Sequence, residues 1–250
     1  MRIDYAEVSL QGGRGENQDR VAVAVSEHAA LLIIADGMGG YADGARAAQI
    51  TLQTVRDAFS RAPRPLFDPL GFLHLALGRA HEEVVKLGAQ TPIDRRPRAT
   101  CALCLIQQGA AWWAHVGDSR IYHIRGGQLI GRSRDHSHVE GLLREGLITA
   151  EQAQAHPLRN YVECCLGGGT MLPDMAIARR RPLEPGDALL VCSDGLWGPL
   201  TDEEITMGLS AAGTSIRERL TVLARRAVKR AGAASDNTSA AVAQWLGDAA

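Results

Sequence analysis

The sequence predicts an α+β fold of four layers, α-β-β-α, in which two mainly antiparallel central sheets are flanked by helix pairs. Three observations lead there. Apolar and β-branched segments of strand length gather at the start, after residue 98 and at the end of the chain. Segments with helical spacing come two at a time between those blocks, so the strict strand–helix alternation of a doubly wound parallel sheet is missing. The chain also has 250 residues, 46% of them apolar and 22% charged, enough to bury the faces of two stacked sheets.

Residues 4–11, 20–26 and 31–35 read as strands separated by Gly-rich or polar breaks. Residues 42–61 and 68–88 carry Ala, Leu and Val three and four apart, the spacing of two helices, with Pro63 and Pro65 between them. These helices are expected to lie antiparallel on one face of the preceding sheet. Strands return at 100–107, 110–116 and 120–125, and Gly126-Gly127 makes a hairpin turn into 128–132. A polar, His-rich segment near 135–165 follows, with short helical pieces at 139–145 and 149–155. The second opens on Thr149 and Gln152, a capping-box spacing. Strands at 175–181 and 188–192 precede two helices that start on the capping boxes Thr201/Glu204 and Ser215/Glu218. The later helix stops near Gly232, and a strand at 238–246 follows. No repeat or low-complexity linker interrupts residues 1–250, so a single domain is expected.

Composition removes several functional classes. Lys and Arg total 27 against 28 Asp and Glu, a net charge of −1, so no long-range field attracts a nucleic-acid backbone or an anionic membrane. The longest apolar run, residues 29–35, is far short of the ~18 residues of a membrane helix. The first residues, Met-Arg-Ile-Asp-Tyr-Ala-Glu, do not read as a signal peptide. Five cysteines suit no disulfide framework, and a reduced, cytoplasmic protein is expected.

The informative pattern is the placement of aspartates. Asp36 follows Leu-Leu-Ile-Ile-Ala and precedes Gly37-Met38-Gly39-Gly40; Asp118 lies between Gly117 and Ser119; Asp194 follows Ala-Leu-Leu-Val-Cys-Ser and precedes Gly195. Asp236 and Asp19 each stand just before a predicted strand. One Asp-Gly is ordinarily a tight turn. Recurrence where buried strands meet Gly-rich loops points instead to gathered carboxylates, which stay ionised only beside strong positive charge. An all-oxygen set without Cys or His at ligand spacing suits Mg²⁺ or Mn²⁺ rather than zinc.

The motifs Arg14-Gly15-Glu16-Asn17-Gln18-Asp19, Ala35-Asp36-Gly37-Met38-Gly39-Gly40, Gly117-Asp118-Ser119-Arg120, Asp135-His136-Ser137, Ser193-Asp194-Gly195-Leu196-Trp197 and Ser235-Asp236-Asn237 occur in the order seen in the PPM family. These are metal-dependent type 2C Ser/Thr protein phosphatases, and the chain resembles their compact bacterial members over about residues 10–245. The stretch near 135–165 looks like their flap. The resemblance implies two Mn²⁺ or Mg²⁺ ions, with room for a third, and a water that attacks phosphoserine or phosphothreonine directly without a covalent phosphoenzyme. It implies that Asp36 bridges the ions with the Gly37 carbonyl on one of them. Asp194 and Asp236 would ligate the other, and Asp118 would share an additional ion with Asp194. Asp19 would hold bound water, Asn237 would support the shell, and Arg14 would grip the phosphate through its planar fork. Implied partners are phosphoproteins marked by a Ser/Thr kinase, met by a monomer.

Two positions depart from the family pattern. Met38 stands where some eukaryotic members carry a His proposed as general acid, and Gln18 stands where an acidic residue is usual. Two other functions fit the same fold: a catalytically silent phosphoprotein binder, or a phosphatase for small phosphate esters. The binder reading predicts lost ligands, and Asp36, Asp118, Asp194 and Asp236 are all present. Gly-Lys-Ser/Thr and Gly-x-Ser-x-Gly motifs are absent, as is a Cys followed six positions later by Arg. Cys101 and Cys104, and likewise Trp112 and Trp113, are expected on opposite strand faces. His136 and His138 are expected exposed, His115 and His123 hydrogen-bonded, and Arg179-Arg180-Arg181 a solvated strand edge. Gly167-Gly168-Gly169 reads equally as a hinge or a plain loop.

Overall fold

A computed structural model describes residues 1–38, 43–154 and 156–247. Three strands, β1 (Arg2–Leu10), β2 (Asp19–Val25) and β3 (Ala29–Gly37), lead into helices α1 (Gly44–Arg61) and α2 (Pro69–Leu87). After a 3₁₀ turn come β4 (Arg98–Gln107), β5 (Ala110–Val116), β6 (Arg120–Arg125) and β7 (Gln128–Arg132). The flap segment holds α3 (His138–Arg144) and α4 (Ala150–Gln154), and a bridge between Ser137 and Val162 closes its base. The chain continues through β8 (Leu166–Gly167), β9 (Ala176–Pro182), β10 (Ala188–Cys192), α5 (Asp194–Trp197), α6 (Asp202–Ser210), α7 (Ile216–Ala231) and β11 (Thr238–Gly247).

The strands form two sheets. One has the order β1-β11-β10-β6-β7; the other is β2-β3-β4-β5-β9, with β8 beside β4. Every ladder among the described residues is antiparallel. Side chains alternate across each strand, so the central strands feed two cores at once. Leu31 and Ile33 point outward onto Leu52, Val55, Leu73 and Leu77 of α1 and α2. Leu32 and Ile34 point inward onto Ile106, Ile121, Leu189 and Val191, between the sheets. On the far side Tyr122, Leu190 and Val242 meet Ile205, Leu220 and Leu223 of α6 and α7. That is the expected four-layer sandwich. Burial on both faces also explains why 29–35 is a continuous apolar run rather than an alternating one. Cys101 and Trp112 lie in the outer core, Cys104 and Trp113 in the inter-sheet core, on opposite faces as their spacing requires.

The differences are local. Strand β3 continues through Asp36 to Gly37, because both residues keep ladder partners, Thr100 and Ala99, on β4. The expected loop aspartate is therefore a strand residue. Helix α5 has four residues and β8 two, too short for any period to show in sequence. Of the predicted elements, Ala42 and Ala155 lie outside the described residues, as do Gly39 and Gly40 of the Asp36 motif. His136 is not fully exposed: its ring is partly buried and stacks on His115 with centroids 4.8 Å apart. Arg179–Arg181 lie on the edge strand β9 as expected, but two are anchored, Arg181 lying 4.3 Å from the Trp113 ring centre and Arg180 6.0 Å from that of Trp112.

Candidate metal centre

The aspartates meet where strands of both sheets end. Asp19 opens β2 directly opposite Asp36, near the end of β3. The Gly37 that follows admits no side chain: a Cβ there would lie 2.2 Å from the Gly44 carbonyl oxygen, so glycine lets the start of α1 close over the strand end. Asp118 sits between β5 and β6, after Gly117 at φ 98°, whose missing side chain leaves room for Thr100. Asp194 begins α5 straight after β10, and Asp236 immediately precedes the Asn237 that leads into β11.

Asp36 feels the charges of Asp19, Asp194, Asp118 and Asp236 together, which places all five around one basin. Burial and mutual repulsion raise the proton affinity of Asp19, Asp36, Asp118 and Asp194. Burial is the larger cause for Asp19, pushed up to about 7, and for Asp194, pushed up to about 6. Asp36 and Asp118 are held well above the usual carboxylate range, again chiefly by burial. A cation bound among these carboxylates would favour their ionised forms.

The supporting contacts are specific. Ser193 Oγ donates to Asp19 Oδ2 at 2.7 Å and accepts from the Ser239 amide at 3.1 Å, joining β2 to β10 and β11. Asp19 is 2% exposed and its Oδ1 has no partner, leaving an acceptor inside the basin. Asn237 does not face the carboxylates. Its amide donates to the Gln11 and Glu16 carbonyls and its Oδ1 accepts from the Gln18 amide, tying down the loop that carries Arg14. Arg14 lies at the rim in a two-pronged pair with Asp236, Nε to Oδ1 at 2.8 Å and a terminal nitrogen to Oδ2 at 2.5 Å. Behind Asp118, Arg120 makes a buried two-pronged pair with Asp135 at 2.9 and 2.7 Å and stacks 3.5 Å from the Trp197 ring centre. The Trp197 indole N–H donates to the Asp118 carbonyl at 3.0 Å. A cleft of about 550 Å³ lies alongside, between the flap and β9, lined by His115, His136 and Asp174.

The donor set fits a hard divalent cation: carboxylate and carbonyl oxygens, a side-chain-free approach at Gly37, and an unpartnered buried oxygen on Asp19. Among the described residues no group of three or more His, Cys, Asp or Glu side chains stands close enough together, as they lie, to hold a metal ion. The residues expected from sequence all gather here, with Asn237 in a scaffolding place and Arg14 on a carboxylate. Sequence reasoning missed the contacts of Ser193, Arg120, Asp135 and Trp197. All four stand within the short motifs around the aspartates, but nothing in those motifs pairs Arg120 with Asp135 or sets Trp197 on Asp118.

Comparison with known proteins identifies the family of the chain. A family model described as protein phosphatase 2C matches residues 13–247. The chain is 32% identical over 243 residues to the serine/threonine protein phosphatase PstP of Mycobacterium tuberculosis, covering 96% of this chain and 45% of that one. It therefore spans about half the length of that relative. It is 33% identical over 196 residues to protein phosphatase PhpP of Streptococcus pneumoniae, covering 77% of this chain and 78% of that one. The crystal structure of the PstP catalytic domain in complex with two manganese ions superposes with a TM-score of 0.80 at 28% identity, over 98% of this chain and 99% of that one. The chain belongs to the protein phosphatase 2C family.

Proposed function

We propose that this protein is a metal-dependent serine/threonine protein phosphatase that hydrolyses phosphoserine and phosphothreonine in proteins, reversing a bacterial Ser/Thr kinase. The observation that carries the reading is the convergence of Asp19, Asp36, Asp118, Asp194 and Asp236 on one basin with Arg14 at its rim. Family membership supports it, as do the serine/threonine phosphatase names of the relatives.

Asp36, the Gly37 carbonyl, Asp194 and Asp236 would hold two Mn²⁺ or Mg²⁺ ions, and Asp118 with Asp194 a third. Divalent ions bound there supply positive charge that makes water a nucleophile near neutral pH and offsets the charge of the phosphoryl group. The rest falls to the chain. Asp19 Oδ1 is the atom free to accept a hydrogen bond from the attacking water, and Ser193 keeps that carboxylate aimed. Arg14 offers two parallel N–H groups to two phosphoryl oxygens. Asn237 fixes the loop that presents it. Met38 has no proton to give, so the proton for the leaving serine or threonine oxygen has to come from another group or from water.

The test is phosphate release from a phosphothreonine peptide with Mn²⁺, with a chelator, and with Asp36→Asn. Release should require Mn²⁺ and fall by about 100-fold or more in the variant. Folded protein that binds the peptide yet releases nothing with any divalent ion would establish the silent binder instead. Faster turnover of small phosphate esters than of phosphopeptides would favour a metabolite phosphatase.

A further inference from the structure

Arg14 and Asp236 are adjacent because the backbone makes them so. Gly12, at φ 64°, packs so closely that a Cβ would lie 2.3 Å from the Asp236 carbonyl oxygen. The next amide, Gly13, donates to the Ser235 carbonyl and lies 2.9 Å from the Ser235 hydroxyl oxygen. Asn237 fastens both ends of the same loop through Gln11 and Glu16. The Arg14 side chain of this assembly is 57% exposed. It covers both carboxylate oxygens of Asp236, and the Asn237 amide also donates to Oδ1 at 2.8 Å. The guanidinium further feels Asp194 and Asp36, so it lies on the side of the basin that holds these carboxylates.

Resting on the reading of Asp236 as a metal ligand and Arg14 as the phosphate grip, we propose that a divalent ion and the Arg14 guanidinium exchange on Asp236. Cation and guanidinium draw on the charge of the same carboxylate, and both cannot hold it at full strength. In the absence of the ion Arg14 supplies the counter-charge for Asp236. Once the ion takes Asp236, the fork is released within reach of the same basin, where a phosphoryl group presents an equivalent pair of oxygens. The phosphate grip is thus assembled only after the ion is in place, and phosphate in turn favours the ion by occupying its competitor. This coupling is reciprocal by linkage.

The test measures Mn²⁺ binding by the electron paramagnetic resonance of the free ion, without substrate, for wild type, R14A, R14K, D236N and R14K/D236N. Lys keeps the charge but cannot cover both oxygens. R14K should bind the ion held by Asp236 about three-fold or more tighter than wild type, R14A at least as much, and the gain should vanish on the D236N background. Inorganic phosphate should tighten Mn²⁺ binding more in wild type than in R14A. Wild-type affinity in R14K, with only R14A improved, would show a general charge effect and overturn the exchange while leaving Asp236 a ligand. Unchanged Mn²⁺ binding in D236N would overturn the exchange and the ligand assignment of Asp236 together. Both positions lie on the rim, and circular dichroism of each variant confirms folding before titration.

Discussion

Single carboxylates set the pH behaviour of this protein. Folded Asp19 titrates near 7 and Asp194 near 6, whereas an unfolded Asp titrates near 3.9. Between about pH 4 and 7 the ion-free folded state therefore holds more protons than the unfolded chain, so its stability falls as pH rises through that window. His115, lowered by burial to about 4, acts the other way between about 4 and 6.5. His81 and His136 are lowered by burial as well, and the four raised aspartates, Asp19, Asp36, Asp118 and Asp194, outnumber these three histidines. Because an ion must displace those protons, the rise in Tm produced by Mn²⁺ should grow from pH 5.5 to pH 8. A Mn²⁺ shift that stays the same across that range, followed by thermal unfolding with and without chelator, would contradict carboxylate ligation. Ser193→Ala removes the hydroxyl donor to Asp19 and should cost about 1–3 kcal/mol, read from chemical denaturation.

At the scale of elements, the site depends on how strand ends meet helix starts. Gly37→Ala would drive a Cβ into the Gly44 carbonyl, a backbone atom that moves only if α1 moves. A loss of about 1–3 kcal/mol and weakened Mn²⁺ binding are expected together, the first by denaturation and the second by titration. On the opposite face, Glu204 closes the capping box of α6 and pairs with Arg230 of α7 at 2.6 Å through both its oxygens. Arg230 holds the Glu204 carboxyl down to about 2, so this contribution is complete above about pH 4.5 and is lost as pH falls through about 2. The capping boxes at Thr149, Thr201 and Ser215 were legible because a cap is a local contract between residues three apart. The aspartates were legible because each sits at a strand end, which periodicity reveals. The Asp36 position inside β3, the Arg120–Asp135 pair and the stacking of His136 on His115 were not, since each depends on a residue 15 or more positions away whose approach only the sheets decide. The side-chain partners of Asn237 lie 219 to 226 positions away in sequence, beyond the reach of any local pattern.

For the whole molecule, the decisive fact is that no single sheet owns the centre. Asp19 and Asp36 come from β2 and β3 of one sheet; Asp194 and Asp236 flank β10 and β11 of the other; Asp118 joins β5 of the first to β6 of the second. The inter-sheet core, with Leu32 and Ile34 facing Leu189 and Val191, therefore fixes the spacing of the carboxylates as well as the stability of the fold. An ion held by both halves acts as a clasp between them, and binding only the native state adds about 2.7 kcal/mol at a concentration one hundred times Kd. Leu189 is fully buried at that interface, and Leu189→Ala should cost about 2–5 kcal/mol without ion. Saturating Mn²⁺ should recover a large part of that loss, at the price of weaker Mn²⁺ binding in the variant, because the cavity loosens the spacing the ion needs. Hydrogen exchange locates the effect. Protection by Mn²⁺ should rise in β3 and β10 alike, and protection confined to one sheet would mean that the carboxylates of the other take no part in holding the ion.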